Sequence, residues 1–510
     1  MPPDIKEEKL FIKSSYRPEI DGLRAFAVVA VIINHFNKEI LPNGYLGVDI
    51  FFVISGFVMT SSLYQRPSKN FKDFISGFYT RRIKRLVPAL SVFVLISSIA
   101  ICLFNPEPGT SLKTGLTSLF GFSNLYLLKQ STYYFAESTQ LNIFTHTWSL
   151  GIEEQFYILF PFFIWFSGFG RQTTHGARNL FLIVGAFAIA SLFRFIYLYP
   201  INQSAAYFPM PTRFWEIASG SLVFILYQRR KSIEKLLEKV PPILLLSLIV
   251  GIMFFQISWA TASTVAVVLL SAILLASLKK GTKSYTFFSN PKVVYIGLIS
   301  YSLYLWHWGV LSISRWTIGI HWWSVPFQVA LMLFLSFASY RYIETPFRKG
   351  NWFGKRWKTF AVGGGIIVML SGSLIALYKP LKGKLYTGKK TISNTQEDWR
   401  NKIRLGNSSL TGKKCHAEKN YSSGDLKLLF NECKYPLIRK LNNQNSVITI
   451  NKSNNKYRFL MTLIHEIAHY YTYRDNKFAK PHGLKWKNIF KILRVNFFYI
   501  SIIFKDFNSM

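Results

Sequence analysis

EIDGLRAFAVVAVIINHFNKEILPNGYLGVDIFFVISGF (19–57) holds two apolar runs joined by a short polar link. Each run has the length and composition of a membrane span. The first carries Arg24 near its start and His35 near its end. Eleven residues at 100° per residue come to about 20° beyond three full turns, so both side chains leave nearly the same helix face, about 16 Å apart along the axis. Ionisable groups facing lipid are costly, so that face turns toward a bundle interior or a wet cavity. A neutral imidazole can take a proton near pH 7, and a guanidinium pairs well with phosphate. The spacing therefore suits a phosphate-bearing donor whose reactive end reaches His35.

Working outward, runs of this kind recur over most of the chain. It has 510 residues, half of them hydrophobic and 17% aromatic. Apolar segments near 23–40, 46–64, 86–104, 150–167, 179–199, 214–228, 242–258, 260–278, 293–313, 323–343 and 359–378 predict about eleven transmembrane helices. The run near 112–128 is shorter and more polar and reads as interfacial or re-entrant. The expected fold is an all-α polytopic membrane bundle with a small α or α+β zincin-like C-terminal tail. Its parts are a membrane domain at 1–350, a further span and its lead-in at 351–378, a linker and uncertain segment at 379–440, and the zincin-like segment at 441–510.

The net charge of +37 suggests nucleic-acid binding by composition alone. The basic residues lie largely between apolar runs, however, where membrane anchoring explains them, so no nucleic-acid partner is expected. RRIKR (81–85), RQTTHGAR (171–178), QRRKSIEKLLEK (228–239), KKGTK (279–283) and RKGNWFGKRWK (348–358) occupy every second connection. The positive-inside rule puts these loops and the N-terminus in the cytoplasm, and an eleventh span sends the tail outside. The tail is itself basic, with 26 Lys and Arg against 8 Asp and Glu. Long segments can translocate despite such charge. Cys102 sits in an apolar run and reads as packing. Cys415 and Cys433 lie in the tail, where an oxidising compartment would allow a disulfide.

Six motifs in order carry a resemblance: YRPEIDGLRAFAVVAVIINHF, GYLGVDIFFVISGFVMT, FYTRRIKRLVPAL, FTHTWSLGIEEQFYILFP, ISYSLYLWHW and YRYIETPFRK. Over about residues 14–350 the chain resembles the acyltransferase-3 family of integral membrane O-acyltransferases. The resemblance implies transfer of an acyl group, commonly acetyl, from cytoplasmic acyl-CoA to a sugar hydroxyl of an exported or surface glycan. A bacterial-type inner membrane is the implied location, with membrane lipid, acyl-CoA and a glycan or lipid-linked sugar as partners. It implies His35 as general base, directly or through an acyl relay, Glu153, with Glu154 close behind, as the motif glutamate that orients a reacting group at the outer face, and Arg24, Arg81, Arg82 and Arg85 as holders of acyl-CoA. On the residues alone, RRIKR also reads as ordinary anchoring and Glu153 as an ion-pair partner of Arg213. Arg341 and Glu344 read as a structural pair. Trp148, Tyr301, Tyr304, Trp306 and Trp308 suit sugar stacking or an interfacial aromatic belt.

In the tail, His465-Glu466-x-x-His469 puts two imidazoles one helical turn apart, able to share Zn²⁺, with Glu466 placed to activate bound water. His482 is the preferred third ligand and Asp475 the second choice. Residues 445–490 resemble SprT-like zinc metalloproteases. No Gly-Asp-Ser signature occurs: Gly424-Asp425 is followed by Leu426. Two other functional classes stay open at this point. One is a membrane-anchored metalloprotease, and the other a solute transporter, because buried charges also line solute paths.

Overall fold

In a computed structural model the chain divides into two units, 1–388 and 389–510. Described in the first are residues 16–65, 68–131, 140–229, 240–255, 259–350, 352, 354–381 and 383–387; in the second, 420–423, 426–431, 447–451 and 488–489.

The described part of the first unit is all helical. Its helices are α1 (Pro18–Phe36), α2 (Gly47–Tyr64), α3 (Phe71–Phe104), α4 (Gly109–Leu119), α5 (Ser123–Ser131), α6 (Thr147–Phe166), α7 (Gly176–Ile201), α8 (Gln203–Tyr207) and α9 (Met210–Arg229). Then follow α10 (Pro242–Met253), α11 (Ala260–Ser277), α12 (Lys283–Phe288), α13 (Pro291–Leu298), α14 (Ser300–Trp316), α15 (Val325–Ala338), α16 (Thr345–Lys349) and α17 (Arg356–Tyr378). A π-helical turn, Ser339–Glu344, joins α15 to α16.

Helix stands at each of the eleven predicted segments. Among the described residues five helices are long and apolar enough to cross a membrane: Gly44–Tyr64, Phe71–Phe104, Gly176–Ile201, Ala260–Ser277 and Arg356–Tyr378. The pair α13 and α14, bent by 65°, is a sixth if it counts as one span. Others fall short for a physical reason. α1 carries Glu19, Asp21 and Arg24, α6 carries Glu153 and Glu154, and α9 carries Arg213 and Glu216. The polar groups that lower their hydropathy are the ones turned inward. The 112–128 run is two short helices, α4 and α5, broken at Gly121, whose φ of +70° suits glycine.

Burial separates the centre from the periphery. The apolar window of α2 is 72% buried, against 28% for α7 and 22% for α17. The last two expose Leu182, Phe187, Phe193, Val368 and Met369, as helices bordering lipid do. α2 lies close against α9: a Cβ at Gly56 would overlap the Ile217 carbonyl, and one at Gly220 the Val53 carbonyl. Small residues permit such backbone contact in membrane bundles. Gly22 and Gly297 bring the start of α1 equally close to the Phe288 carbonyl and to α13. That packing fixes the turn from which Asp21 and Arg24 project.

The α2–α9 seam encloses a charged group. Arg213 pairs with Asp49, and with Glu216 at 3.0 Å, and all three are almost completely buried. Phe52, Trp148, Phe195 and Tyr207 surround the guanidinium at 5.2–5.8 Å. Arg213 is therefore a partner of Asp49 and Glu216, and the pairing with Glu153 that sequence left open does not form. The Arg341–Glu344 pair does not form either. Glu344 is buried, accepts from Ser302 at 3.1 Å and faces Arg348 at 3.9 Å, whereas Arg341 is exposed on the other side of the π turn.

In the second unit three strands form a sheet in the order β1 (Asn420–Ser423), β2 (Leu426–Asn431), β3 (Val447–Asn451). β1 and β2 are antiparallel and β2 and β3 parallel. The tail is thus not purely helical. His465, Glu466, His469, Asp475, His482, Cys415 and Cys433 lie outside the described residues.

Candidate active site

α1 is one uninterrupted helix, started by Pro18 in its first turn. Arg24 and His35 therefore keep the spacing read from sequence. Arg24 lines a cavity of about 370 Å³, joined by Arg82 and Arg85 of α3, Ser55 of α2, and Glu153 and Tyr157 of α6. Tyr16 and Arg348, both partly exposed, line it as well. The far wall holds Phe51, Ser149 and Tyr304.

The charges in this cavity are organised. Asp21 lies 3.3 Å from Arg24 and accepts from Tyr16 at 2.7 Å. Glu153 accepts from Ser55 at 2.7 Å and from Tyr157 at 3.0 Å. The Tyr157 ring in turn lies 4.2 Å below the Arg82 guanidinium. Ser55 and Tyr157 thus hold Glu153, and Tyr157 supports Arg82 through a cation–π contact. The Nε of Arg85 is buried with no hydrogen-bond partner among the described residues. A guanidinium with an unused donor in an arginine-lined cavity is suited to an anionic ligand.

Two expectations shift here. Glu153, expected at the outer mouth, lines the same cavity as the arginines. Arg81 does not line it. It borders a separate small pocket with Asp73, Gly77 and Arg356. One turn of α3 explains the split: Arg82 and Arg85 are three residues apart and face α2 and α6, while Arg81 faces the start of α17.

Beyond the far wall is a histidine cluster. Tyr304 bonds with Ser149 at 2.7 Å, and its hydroxyl reaches the His146 carbonyl at 3.0 Å. Its ring packs 5.3 Å from His307 and 5.4 Å from His146. His35 Nδ1 lies 3.0 Å from His307 Nε2. The two rings are parallel within 3°, with centroids 5.3 Å apart. That spacing is too long for face-to-face stacking and fits an in-plane hydrogen bond. Trp308 packs its ring 4.7 Å from His35 and donates its own N–H to the Asn142 carbonyl. Arg315 donates to the His35 carbonyl at 2.9 Å, tying the end of α1 to α14. The described residues contain no group of three His, Cys, Asp or Glu arranged to hold a metal ion.

Trp148, Trp306 and Trp308 are buried and Tyr301 and Tyr304 half-buried, so they pack the bundle interior rather than form an interfacial belt. His307 is the residue that sequence reading passed over. Its signal was available, because an imidazole in the span SYSLYLWHW is a functional candidate on lipid cost alone.

These features define a helical membrane protein with an arginine-lined cavity set beside a buried histidine. Residues 17–341 match the family described as acyltransferase domain, and the chain belongs to this acyltransferase-3 family. Residues 390–503 match the SprT-like family, a longer stretch than the 445–490 that carried the resemblance. O-acetyltransferase OatA of Staphylococcus aureus (strain MRSA252) is 31% identical over 409 residues, 73% of this chain and 65% of that protein. OatA of strain NCTC 8325 / PS 47 is 32% identical over 388 residues, 70% of this chain and 60% of its own. A further protein of strain MRSA252, named provisionally as an O-acetyltransferase, is 33% identical over 373 residues, 68% of this chain. The chain spans about three fifths of that relative's length. No solved structure matches.

Proposed function

We propose that the protein is a membrane O-acyltransferase that moves an acyl group, acetyl by its relatives' names, from cytoplasmic acyl-CoA to a hydroxyl of an exported or surface glycan. One observation carries this reading. A single helix presents Arg24 to an arginine-lined cavity and, about 16 Å along the same face, His35 to a buried histidine cluster. Arg24, Arg82 and Arg85 hold the donor's phosphates. Glu153 and Tyr157 position Arg82, so Glu153 serves the donor cavity. The donor enters beside Tyr16 and Arg348, next to the basic 348–358 segment that the positive-inside rule assigns to the cytoplasm. Eleven spans, with the tail outside, complete this topology.

At the inner end, His35 takes the proton of the acceptor hydroxyl as its oxygen attacks the thioester carbonyl. The C–O bond forms, the C–S bond breaks, and the leaving thiolate receives that proton. Glycans from cells with and without the protein, compared by mass spectrometry, test this. Ester-bearing glycan should appear only with the protein; identical profiles would contradict it.

Arg85→Ala should raise the KM for acyl-CoA by about tenfold or more, because a hydrogen bond to a charged group is worth about 1.5–3 kcal/mol. The kcat at saturating donor should change much less. An unchanged donor KM would return this arginine to simple anchoring.

The SprT-like match supports a second, separate reading of the tail, in which His465, His469 and His482 hold one Zn²⁺ and Glu466 is the acid–base group. Such an ion would supply an activated water for peptide hydrolysis. Metal analysis should find about one Zn²⁺ per chain, lost in His465→Ala with glycan acylation retained. Zinc retained by that variant would remove the assignment.

A further inference from the structure

We infer that His307 is a positioning residue that fixes the tautomer of His35, leaving His35 Nε2 as the unprotonated nitrogen. His307 Nδ1 lies 2.6 Å from the Tyr304 carbonyl oxygen. A carbonyl only accepts, so that nitrogen carries the proton. In a neutral imidazole the other nitrogen, Nε2, is then an acceptor. It lies 3.0 Å from His35 Nδ1, so His35 donates there and its own Nε2 is left with the lone pair.

The opposite assignment sets the His307 Nδ1 lone pair against the Tyr304 carbonyl at 2.6 Å, which is repulsive. A doubly protonated His307 also satisfies the distances. But its ring is completely buried, and among the described residues it forms no ion pair with a carboxylate. A buried charge without a paired opposite charge is strongly disfavoured.

Nothing else nearby competes for the arrangement. His146 packs its ring edge against His307 and makes no hydrogen bond to either imidazole of the pair. The Trp308 N–H is committed to the Asn142 carbonyl. α14 presents Tyr304 and His307 one turn apart, so the helix itself supplies the carbonyl that orients the ring. Free imidazole has no such constraint, and a base whose tautomer is preset avoids a rearrangement before each proton transfer.

The consequence for rate rests on the transferase reading; the tautomer does not. Two measurements separate them. In protein labelled with ¹⁵N at histidine, wild-type His35 should show a protonated Nδ1 and an unprotonated Nε2. His307→Leu should lose that preference, and His307→Gln should keep it, because the glutamine amide can accept from His35 and donate to Tyr304. A wild-type His35 protonated on Nε2 would overturn the proposal whatever the enzyme's activity. In acyl transfer, His307→Leu should lower kcat by about a hundredfold with the acyl-CoA KM unchanged, and His307→Gln should restore most of it. His307→Leu within threefold of wild type, or Leu and Gln variants equally impaired, would overturn the positioning role. A fully active His35→Ala would instead remove His35 as the base, and wild-type protein that formed no ester at all would overturn the transferase reading itself.

Discussion

His35→Ala should lower acyl transfer by a factor of about 10²–10⁴, the range that general-base catalysis supplies. The protein should still insert and fold. His35 is only half-buried at the end of α1, and the packing of that helix rests on Leu23, Ala27, Val28 and Val31, which the change leaves in place. In the proposed reaction the substitution removes the group that takes the acceptor proton, and it leaves Arg24 and the arginine-lined cavity, about 16 Å away along α1, intact. Acyl-CoA binding should therefore survive, so the loss falls on kcat. Ester formation within threefold of wild type by a correctly inserted variant would exclude His35 as the base.

The largest effect on stability is expected at Arg213. Its guanidinium serves both Asp49 and Glu216, and aromatic rings exclude water around all three. Arg213→Ala leaves two carboxylates buried in the α2–α9 seam without a cation. Breaking a buried pair by removing one partner costs about 3–5 kcal/mol, and here two partners are stranded. The seam also carries the Gly56 and Gly220 close contacts, so loosening it disturbs the central helix α2 and with it Ser55 in the arginine-lined cavity. Thermal unfolding of the purified protein in detergent should show a clearly lowered midpoint and reduced folded yield. A midpoint equal to wild type would mean the group is not the stabilising element described. Arg213→Lys should be intermediate, since an ammonium keeps the charge but lacks the planar fork that reaches two carboxylates.

How much of this was legible in the sequence follows from the range of each interaction. Helix positions were readable because lipid cost acts on local composition, and helix stands at all eleven predicted segments. Arg24 and His35 on one face followed from the 3.6-residue period alone. The partners across the bundle were not readable in this way. His35 meets His307 from 272 positions away, and Arg213 meets Asp49 from 164. Nothing local distinguishes Asp49 from Glu153 as the mate of Arg213. The placement of Glu153 with the arginines depended on how deeply α6 sits against α2 and α3, a tertiary matter. Arg341 and Glu344 misled for a local reason: the i,i+3 rule assumes α-helical geometry, and a π turn rotates the two apart. The HExxH motif was readable as a pattern, but a third ligand is a matter of fold, and its residues lie outside the described part of the second unit.

We propose, centrally, that one protein joins a cytoplasmic arginine-lined donor cavity to the half-buried base His35 and carries an acyl group between them. The most direct measurement uses inside-out membrane vesicles containing the protein and its glycan acceptor, supplied with acetyl-CoA labelled in the acetyl group. The account predicts label in alkali-labile ester on the enclosed glycan, reduced at least about a hundredfold by His35→Ala and shifted to higher donor concentration by Arg85→Ala. Label that never reaches the glycan, or that reaches it equally well in the His35→Ala vesicles, would contradict it.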